Sequence, residues 1–418
     1  MDVSAHASLS AKRGVPAPGF RNVCMHVRGV VRTDNRVLRE ATALAEAGYT
    51  VSIVDVEDDL YRPVEEDISG IHVRHIIKPH WLVPVHFKPL RLVRTIQKFL
   101  YSTFVLMQMP ADIYHAHDIN ALPACYVAAR CRRKLLIFDA HELPLHGLER
   151  KGNWFITVLI WLFAQMISCC AGVITVSPPI EQEIYRWYHA PKITLVRNVP
   201  VYQAVPKNDR LRQFLGLGSD VRLALYQGNL QDDRGLDGLI RAAKFLEQGI
   251  VIVLLGKAVG ATQRQLEALI AEEGVADRVK IVPPVPYTEL LEWTVSADIG
   301  LLIYPPDYSA NIKMCLPNKL FEYLMAGLPV LTSPLEAVTD LIKAYNIGQV
   351  VSSPDPRHVA EAINEMLKDD NELTCMKHNA LDAVKQELLW EKESQQLIDL
   401  YRNICKRWNA GNKTKMSS

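Results

Sequence analysis

VCMHVRGVVRTDNRVLREATALAEAGYTVSIVDV, residues 23–56, holds the unit from which the fold is built. Residues 23–27 read as a strand. Residues 36–47 carry apolar side chains at helical spacing and stop at Gly48. Residues 51–56 are rich in β-branched residues and read as a second strand. Strand, helix and strand in this order form a parallel crossover, because a helix is needed to carry the chain back to the start of the next parallel strand. The pattern continues with strand-like runs at 71–77, 113–116, 135–139 and 173–176. It restarts after 198–200, with strands at 223–227, 250–255, 279–282, 299–303, 330–332 and 349–351 and helices between them. Residues 390–407 read as a last helix.

These signals predict an α/β protein of two Rossmann-like, doubly wound parallel-sheet domains facing across a cleft. The expected divisions are a tail at 1–21, a first domain at 22–200, a second at 201–388, a crossover helix at 389–407 and a tail at 408–418. The stretch 199–208 reads as the linker. In such sheets ligands bind beyond the carboxyl ends of the strands, so residues that follow strands are the ones to weigh.

A chain of 418 residues is long enough for two or more domains. It is 49% hydrophobic and 22% charged, and its net charge of +1 does not point to nucleic acid. Residues 1–200 hold 23 Lys and Arg against 18 Asp and Glu, while residues 201–418 hold 24 against 28. That asymmetry fits chance, or a first domain that meets anionic lipid or an acidic substrate. The eight cysteines form no CxxC pair, as expected of reduced thiols in a cytoplasmic protein. The first twenty residues lack an apolar core of the kind a secretory signal carries.

Residues 152–180 contain no charged side chain, and 154–176 is long enough to cross a bilayer. Ala171 and Gly172 break the run, so the expectation is a helix of about 16 residues followed by a buried strand. Arg91, Arg94 and Lys98 lie beside Leu90, Leu92, Val93, Ile96, Phe99 and Leu100. That basic amphipathic stretch suits either a solvated helix face or peripheral contact with an anionic membrane.

Four constellations sit where strands end. In YQGNLQDDRG, residues 226–235, a strand runs into a turn, and Arg234 and Gly235 open a helix. A helix start offers unpaired amides, and an arginine fork suits phosphate; a solvated turn capped by Asp232 or Asp233 is the plainer alternative. In PNKLFEYLMAGLPV, residues 317–330, Pro317 opens a helix where its missing N–H costs nothing. The amides of Asn318, Lys319 and Leu320 would then face outward as an anion nest. Lys319 adds a full charge, and Glu322, one turn on, can accept two ribose hydroxyls. A surface Lys–Glu pair would contribute only about 0.2–0.5 kcal/mol. In FDAHEL, residues 138–143, His141 follows a strand and is either a site residue or a core histidine. In YHAHD, residues 114–118, two histidines and an aspartate suggest metal ligands, but no further cluster appears and no metal is expected. The acidic run 55–59 reads as a solvated loop. GxGxxG and GxxxxGK[ST] are both absent.

Taken in order, NRVLREATALAEAGYTVSIV, ADIYHAHDINALP, FDAHEL, GVITVSPPI, LVRNVP, LYQGNLQDDRGLDGLIRAAKFL, SADIGLLIYPP and PNKLFEYLMAGLPVLTS resemble the GT-B glycosyltransferases, and among them the retaining family 4. The likeness covers about residues 22–405. The ending LLWEKESQQLIDLYRNI is similar to the family's helix that crosses back to the first domain. The resemblance implies a nucleoside-diphosphate sugar donor held by the second domain and a glycan or lipid-linked acceptor held by the first. It implies no metal and no other cofactor. Arg234 matches the residue that neutralises the diphosphate, Glu322 the second glutamate of the E-x7-E motif, and His141 the histidine at the donor sugar. The implied catalytic set is His141, Arg234, Lys319 and Glu322. The implied donor-binding set adds Gly29, Gly228, Asn229, Asn311, Pro317, Asn318 and Leu320. Two positions depart from the family: Met314 stands where the first glutamate belongs, and Asn229 where a second basic residue belongs. Lys319 would supply the charge that Asn229 lacks, and Asn311 or Lys313 would meet the sugar in place of Met314. The implied role is polysaccharide biosynthesis in the cytoplasm, peripheral to the membrane. A sugar-nucleotide 2-epimerase and a non-catalytic sugar-nucleotide-binding protein are the alternatives.

Overall fold

The protein is represented by a computed structural model, which describes residues 19–57, 59, 61–77, 91–144, 154–190, 192–305 and 308–416. The expected N-terminal tail lies almost wholly outside them. The chain divides after Val196 and again after Glu393. The first unit combines the chain up to Val196 with the segment from Ser394, and the second is Arg197–Glu393. The stretch expected as a linker belongs to the second unit: Val199 is buried in its core, and the Asn208 side chain donates to the Glu292 carbonyl at 3.0 Å.

The first unit is built on eight strands: β1 (Asn22–His26), β2 (Thr50–Glu57), β3 (Glu65–Ile68), β4 (Ile71–Ile77), β5 (Ile113–His117), β6 (Leu135–Ala140), β7 (Gly172–Thr175) and β8 (Ile193–Leu195). Their order is β3-β4-β2-β1-β5-β6-β7-β8, parallel throughout except for β3. The second unit has six parallel strands: β9 (Arg222–Gln227), β10 (Ile250–Leu255), β11 (Val279–Val282), β12 (Ile299–Leu302), β13 (Val330–Thr332) and β14 (Gly348–Val350). Their order is β11-β10-β9-β12-β13-β14. β5, β6 and β10 are buried along their whole length, as expected of parallel strands covered on both faces. The sheets are wound outward in opposite directions from the β1/β5 and β9/β12 boundaries. These are the switch points at which such sheets bind ligands.

Two strands escape the sequence pattern. β3 is an acidic edge strand, joined to β4 by Ser69 and Gly70, both at positive φ, in a two-residue hairpin turn. β8 has three residues, too few to show a period. The acidic run 55–59 also needs correction, because β2 extends through Glu57. Asp55 is buried, accepts the Val31 N–H at 3.0 Å and lies 2.6 Å from His75 Nδ1, while Glu57 pairs with Arg32 at 2.6 Å.

The apolar run resolves into the helix Trp154–Ser168 and strand β7. Among the described residues no helix is long and apolar enough to cross a membrane. The helix Arg91–Gln108 contains most of the basic amphipathic stretch; Leu90 and the side chains of Arg91, Leu92 and Arg94 lie outside the described residues. The last helix runs Trp390–Met416, so 408–416 is helical rather than a tail. No proline interrupts it, and one glycine costs a helix only about 1 kcal/mol. Its first turn stays with the second unit, where Glu393 accepts the Arg197 backbone N–H at 2.7 Å. Further on it packs on the first: the Tyr401 hydroxyl meets His115 Nδ1 at 2.8 Å.

In the second unit, one glycine controls how the site is held. A Cβ on Gly300 in β12 would lie 2.4 Å from the ring of Tyr323. The bare strand lets that ring lie flat on it, and the Tyr323 hydroxyl then accepts the Gln227 N–H at the end of β9. Gly300→Ala is expected to destabilise the protein by about 1–3 kcal/mol, through overpacking. Urea unfolding of the two proteins measures it, and an unchanged midpoint would contradict this packing role.

Candidate active site

At the β9/β12 switch point the second unit places two cations among tyrosines. Lys319 lies in the first turn of the helix Asn318–Met325. Its Nζ sits 3.9 Å from the ring centre of Tyr226 and 5.4 Å from that of Tyr304. Ring faces attract a cation, so the pair fixes where the ammonium rests. Gly228 follows β9 at φ 125, and its backbone passes close to that ammonium. Among the described residues Lys319 has no ion pair. Burial pushes its pKa down to about 7, the Arg234 charge adds to the effect, and Glu322 opposes it.

Arg234 ends a short turn, Asp232–Arg234, and Gly235 follows at φ 71 as the cap of the next helix. A side chain at Gly235 would be strained by that φ and would also press on Pro305 at 3.0 Å. The guanidinium lies 5.4 Å from the Tyr308 ring centre, and its Nε donates to Gln231 Oε1 at 3.3 Å. Its charge is felt by the hydroxyls of Tyr226, Tyr304 and Tyr308. Apart from its approach to Arg234, the buried Tyr304 hydroxyl has no hydrogen-bond partner among the described residues.

Glu322 lies one turn beyond Lys319 on the same helix. Its Oε2 accepts the Gln227 amide at 2.6 Å, and Gln227 Oε1 in turn accepts the Thr294 hydroxyl at 2.8 Å. One carboxylate oxygen is therefore aimed by a chain of buried hydrogen bonds that starts at the end of β9.

Part of the expected anion nest is absent. Pro317 is the cap residue and the helix begins at Asn318. The Leu320 N–H donates to the Pro317 carbonyl at 3.0 Å, and Leu320 is fully buried. The first turn tightens on itself, which is how helix starts often satisfy their own amides. Only the amides of Asn318 and Lys319 are left to face a ligand. Asn229 is exposed, and its carbonyl accepts the Tyr226 hydroxyl at 3.0 Å. Asn311, Lys313 and Met314 share the short helix Ala310–Met314, whose end is closed by the Cys315 N–H on the Asn311 carbonyl.

The first unit places His141 just past β6. Its Nε2 lies 2.8 Å from Asp139, its Nδ1 lies 3.4 Å from Asp118, and its backbone N–H donates to Asp118 at 3.1 Å. Burial disfavours the imidazolium, but Asp139 and Asp118 outweigh it and raise the pKa to about 9. Asp118 adopts φ 63, a left-handed conformation that a non-glycine residue keeps only when its surroundings hold it there. Asp139 is in turn held by Arg36, which reaches both its oxygens at 2.9 Å and also donates to the Val196 carbonyl at 2.9 Å. Gly29 is exposed, and a Cβ there would meet nothing within 4 Å, so no close approach within the protein requires a glycine.

His115 and His117 share one face of β5 and stack at 4.2 Å. The fold adds what the sequence lacked, for Glu40 and Asp139 join them, with one ligand atom of each within 4.8 Å of the others. Arg36 already engages both Asp139 oxygens and lies 3.0 Å from Glu40. A divalent ion there would have to displace that guanidinium, so this set does not fit a metal as it stands.

Residues 33–199 match the family described as Glycosyltransferase Family 4, and residues 207–382 match Glycosyl transferases group 1. The chain belongs to this family of glycosyltransferases. A D-inositol 3-phosphate glycosyltransferase of Thermobispora bispora is 26% identical over 54% of this chain and 54% of its own length. One of Xylanimonas cellulosilytica is 28% identical over 50% and 48%. The chain thus spans about half the length of these two relatives. D-inositol 3-phosphate glycosyltransferase 1 of Catenulispora acidiphila is 27% identical over 88% of this chain and 89% of its own. Among solved structures, sucrose-phosphate synthase from Thermosynechococcus elongatus aligns with a TM-score of 0.73 at 18% identity, covering 92% and 99% of the two chains. Anabaena HepE in complex with UDP aligns at 0.68 and 15%, covering 91% and 98%. These likenesses show the GT-B fold.

Because the folded pKa of His141 is raised, its contribution to stability is full below pH 6.5 and is lost as pH rises through about 9. Unfolding in urea across that window should show a fall in the wild type that is absent in His141→Gln. Parallel curves for the two proteins would contradict the Asp139–His141 pairing.

Proposed function

We propose that this protein is a retaining glycosyltransferase that moves a sugar from a nucleoside-diphosphate sugar to a hydroxyl of a glycan or lipid-linked acceptor in cell-surface polysaccharide synthesis. One observation carries the proposal: Lys319 and Arg234 converge at the β9/β12 switch point with a positioned carboxylate one turn away. Two cations beside a carboxylate suit a nucleoside diphosphate, whose phosphates meet the cations and whose ribose hydroxyls donate to Glu322. The complex of Anabaena HepE with UDP supports the donor class.

The chemistry needs charge at the leaving group. As the anomeric C–O bond breaks, the sugar gains oxocarbenium character and the departing phosphate gains negative charge. Preorganised donors at that oxygen supply the largest single contribution. Arg234, Lys319, the amides of Asn318 and Lys319, and the Tyr304 hydroxyl are the groups in this chain suited to it. Their charge stands in for a divalent ion, so no metal is required. The family resemblance gives His141 the role of meeting the donor sugar; with Nε2 on Asp139 and Nδ1 facing Asp118, its imidazolium would have to release one of these carboxylates to donate. The acceptor hydroxyl attacks from the leaving-group side, its oxygen forming the new glycosidic bond and its proton passing to the departing phosphate. The proposal includes peripheral contact with an anionic membrane on the cytoplasmic side; exposed Val93, Leu100, Phe104, Trp154 and Trp161 support the membrane contact.

A thermal-shift screen of nucleotide sugars followed by a transfer assay tests the proposal. Glu322→Ala and Arg234→Ala should each cut transfer by at least about a hundredfold while unfolding normally. Near-normal rates in both would remove the site assignment. A chelator should leave the rate unchanged. Donor binding without turnover across acceptors would favour the non-catalytic alternative that Met314 raises. The pKa of Lys319 adds a pH signature. A bound diphosphate favours the ammonium, so binding takes up a proton and affinity for UDP should fall as pH rises above about 7. Calorimetry in buffers of different ionisation enthalpy measures the uptake, and Lys319→Arg should flatten the pH profile. A wild-type profile that is already flat would overturn this linkage.

A further inference from the structure

The β1/β5 switch point of the first unit holds a cavity of about 250 Å³. Its walls are mostly apolar, with Ile96, Phe99, Ile119, Pro123 and Phe163 contributing. Thr95, Ser102 and Asn120 add hydroxyl and amide groups, and two further residues, Arg28 and His26, each bring a polar group that is left over among the described residues. Arg28, half-buried just past β1, has no ion pair among the described residues, and burial lowers its pKa without a carboxylate to offset the effect. His26 is fully buried, and its Nδ1 lies 2.8 Å from the Val54 carbonyl. A carbonyl only accepts, so the proton is on Nδ1 and Nε2 carries a lone pair. That Nε2 has no hydrogen-bond partner among the described residues. The cavity therefore offers a cation for an anion, a lone pair for a hydroxyl, and an apolar wall.

The surroundings select the shape of the ligand. A volume of 250 Å³ equals roughly eight waters, enough for part of a molecule rather than a whole lipid. Ile96 lines the cavity and is also exposed on the helix Arg91–Gln108. Leu100 and Phe104 continue the same helix face at intervals of four residues, and both are exposed. An apolar strip thus leaves the cavity in one direction, as a linear chain requires and a compact aglycone does not. The position also fits an acceptor. His26 lies level with Ala116 and Phe138 across β1, β5 and β6, and His141 follows three residues beyond Phe138.

We infer that this cavity binds a single-chain lipid phosphate, with its anionic oxygens on Arg28, the P–OH of the monoanion donating to His26 Nε2, and its hydrocarbon leading out over Ile96, Leu100 and Phe104. The inference rests on the transferase reading for its role, since the lipid is then the carrier of the acceptor. It specifies a chain-bearing phosphate rather than a free sugar phosphate.

Farnesyl phosphate, used as a monomer below the concentration at which it aggregates, is the probe. Its binding to the full chain can be followed by intrinsic tryptophan fluorescence or calorimetry, with no donor present. Binding should be saturable, and farnesol or inorganic phosphate alone should bind at least about tenfold more weakly, since each lacks one of the two contacts. Arg28→Gln should weaken binding by about tenfold. Ala124→Leu, which fills the wall, should do the same; in both variants an unchanged urea unfolding curve reports that the first unit remains folded. Equal binding by inositol 1-phosphate, or farnesyl phosphate affinity unaffected by either substitution, would overturn the inference. Binding only to phosphatidylglycerol vesicles and not to the monomer would assign the surface to bulk membrane and overturn it as well. Failure of transfer with farnesyl phosphate binding intact would count against the transferase reading alone.

Discussion

The ion pair between Arg36 and Asp139 organises the first unit. Both side chains are buried, and the guanidinium grips both carboxylate oxygens while its third nitrogen holds the Val196 carbonyl. One side chain thus ties the helix Asn35–Glu46 to the end of β6 and to the last residue before the chain leaves the unit. Removing one partner of such a pair typically costs about 3–5 kcal/mol, because the other is left charged in a dry interior. The pair also sets the state of His141. Asp139, kept ionised by Arg36 and His141, gives the imidazolium its counter-charge. Structure and site chemistry in this unit therefore depend on the same carboxylate.

Charge is paired at short range there and held more loosely in the second unit, where Arg234 Nε lies 3.8 Å from Asp233. Arg36 and His141 offset Asp139 and Glu40, and Glu40 itself is pushed by burial and by Asp139 up to about 7. His115, whose pKa burial lowers, adds a hydrogen bond to Tyr401 and stacking on His117. At the β9/β12 switch point, by contrast, Lys319 rests on aromatic faces instead of on a carboxylate, and Arg234 raises the local potential further. Aromatic faces hold a cation in place at little cost to its affinity for an anion, whereas a carboxylate would compete with one. The first arrangement is suited to holding a proton at a fixed atom, the second to receiving phosphate.

The elements themselves were largely legible in the sequence, because parallel strands and amphipathic helices leave a local period. Candidate site residues that sit within one turn of each other, or directly after a strand, could likewise be singled out from local pattern. Lys319 and Glu322 share a helix turn, and His141 follows a strand. The failures were also local in cause. β3 is acidic and exposed, so it lacks the apolar run that marks a buried strand. Asp55 looked solvated because its partners, Val31 and His75, lie about twenty residues to either side. Leu320 was expected to offer its amide, but whether a helix start opens or tightens depends on hydrogen bonds that residue type does not specify.

By itself the sequence determined the strand–helix alternation, the strand ends to examine, and the chemistry available at each. Periodicity and residue type are properties of neighbours in the chain. Only the tertiary structure decided the partners. Arg36 and Asp139 are 103 residues apart, Gln227 and Glu322 are 95 apart, and His115 and Tyr401 are 286 apart. Strand order in the two sheets brings each pair together, and nothing in the local pattern encodes that order. The same holds for the cavity at the β1/β5 switch point, whose walls come from four separate elements. A charge is paired or left unpaired, and a hydrogen bond made or missing, only when distant segments meet, and those outcomes carry the functional argument.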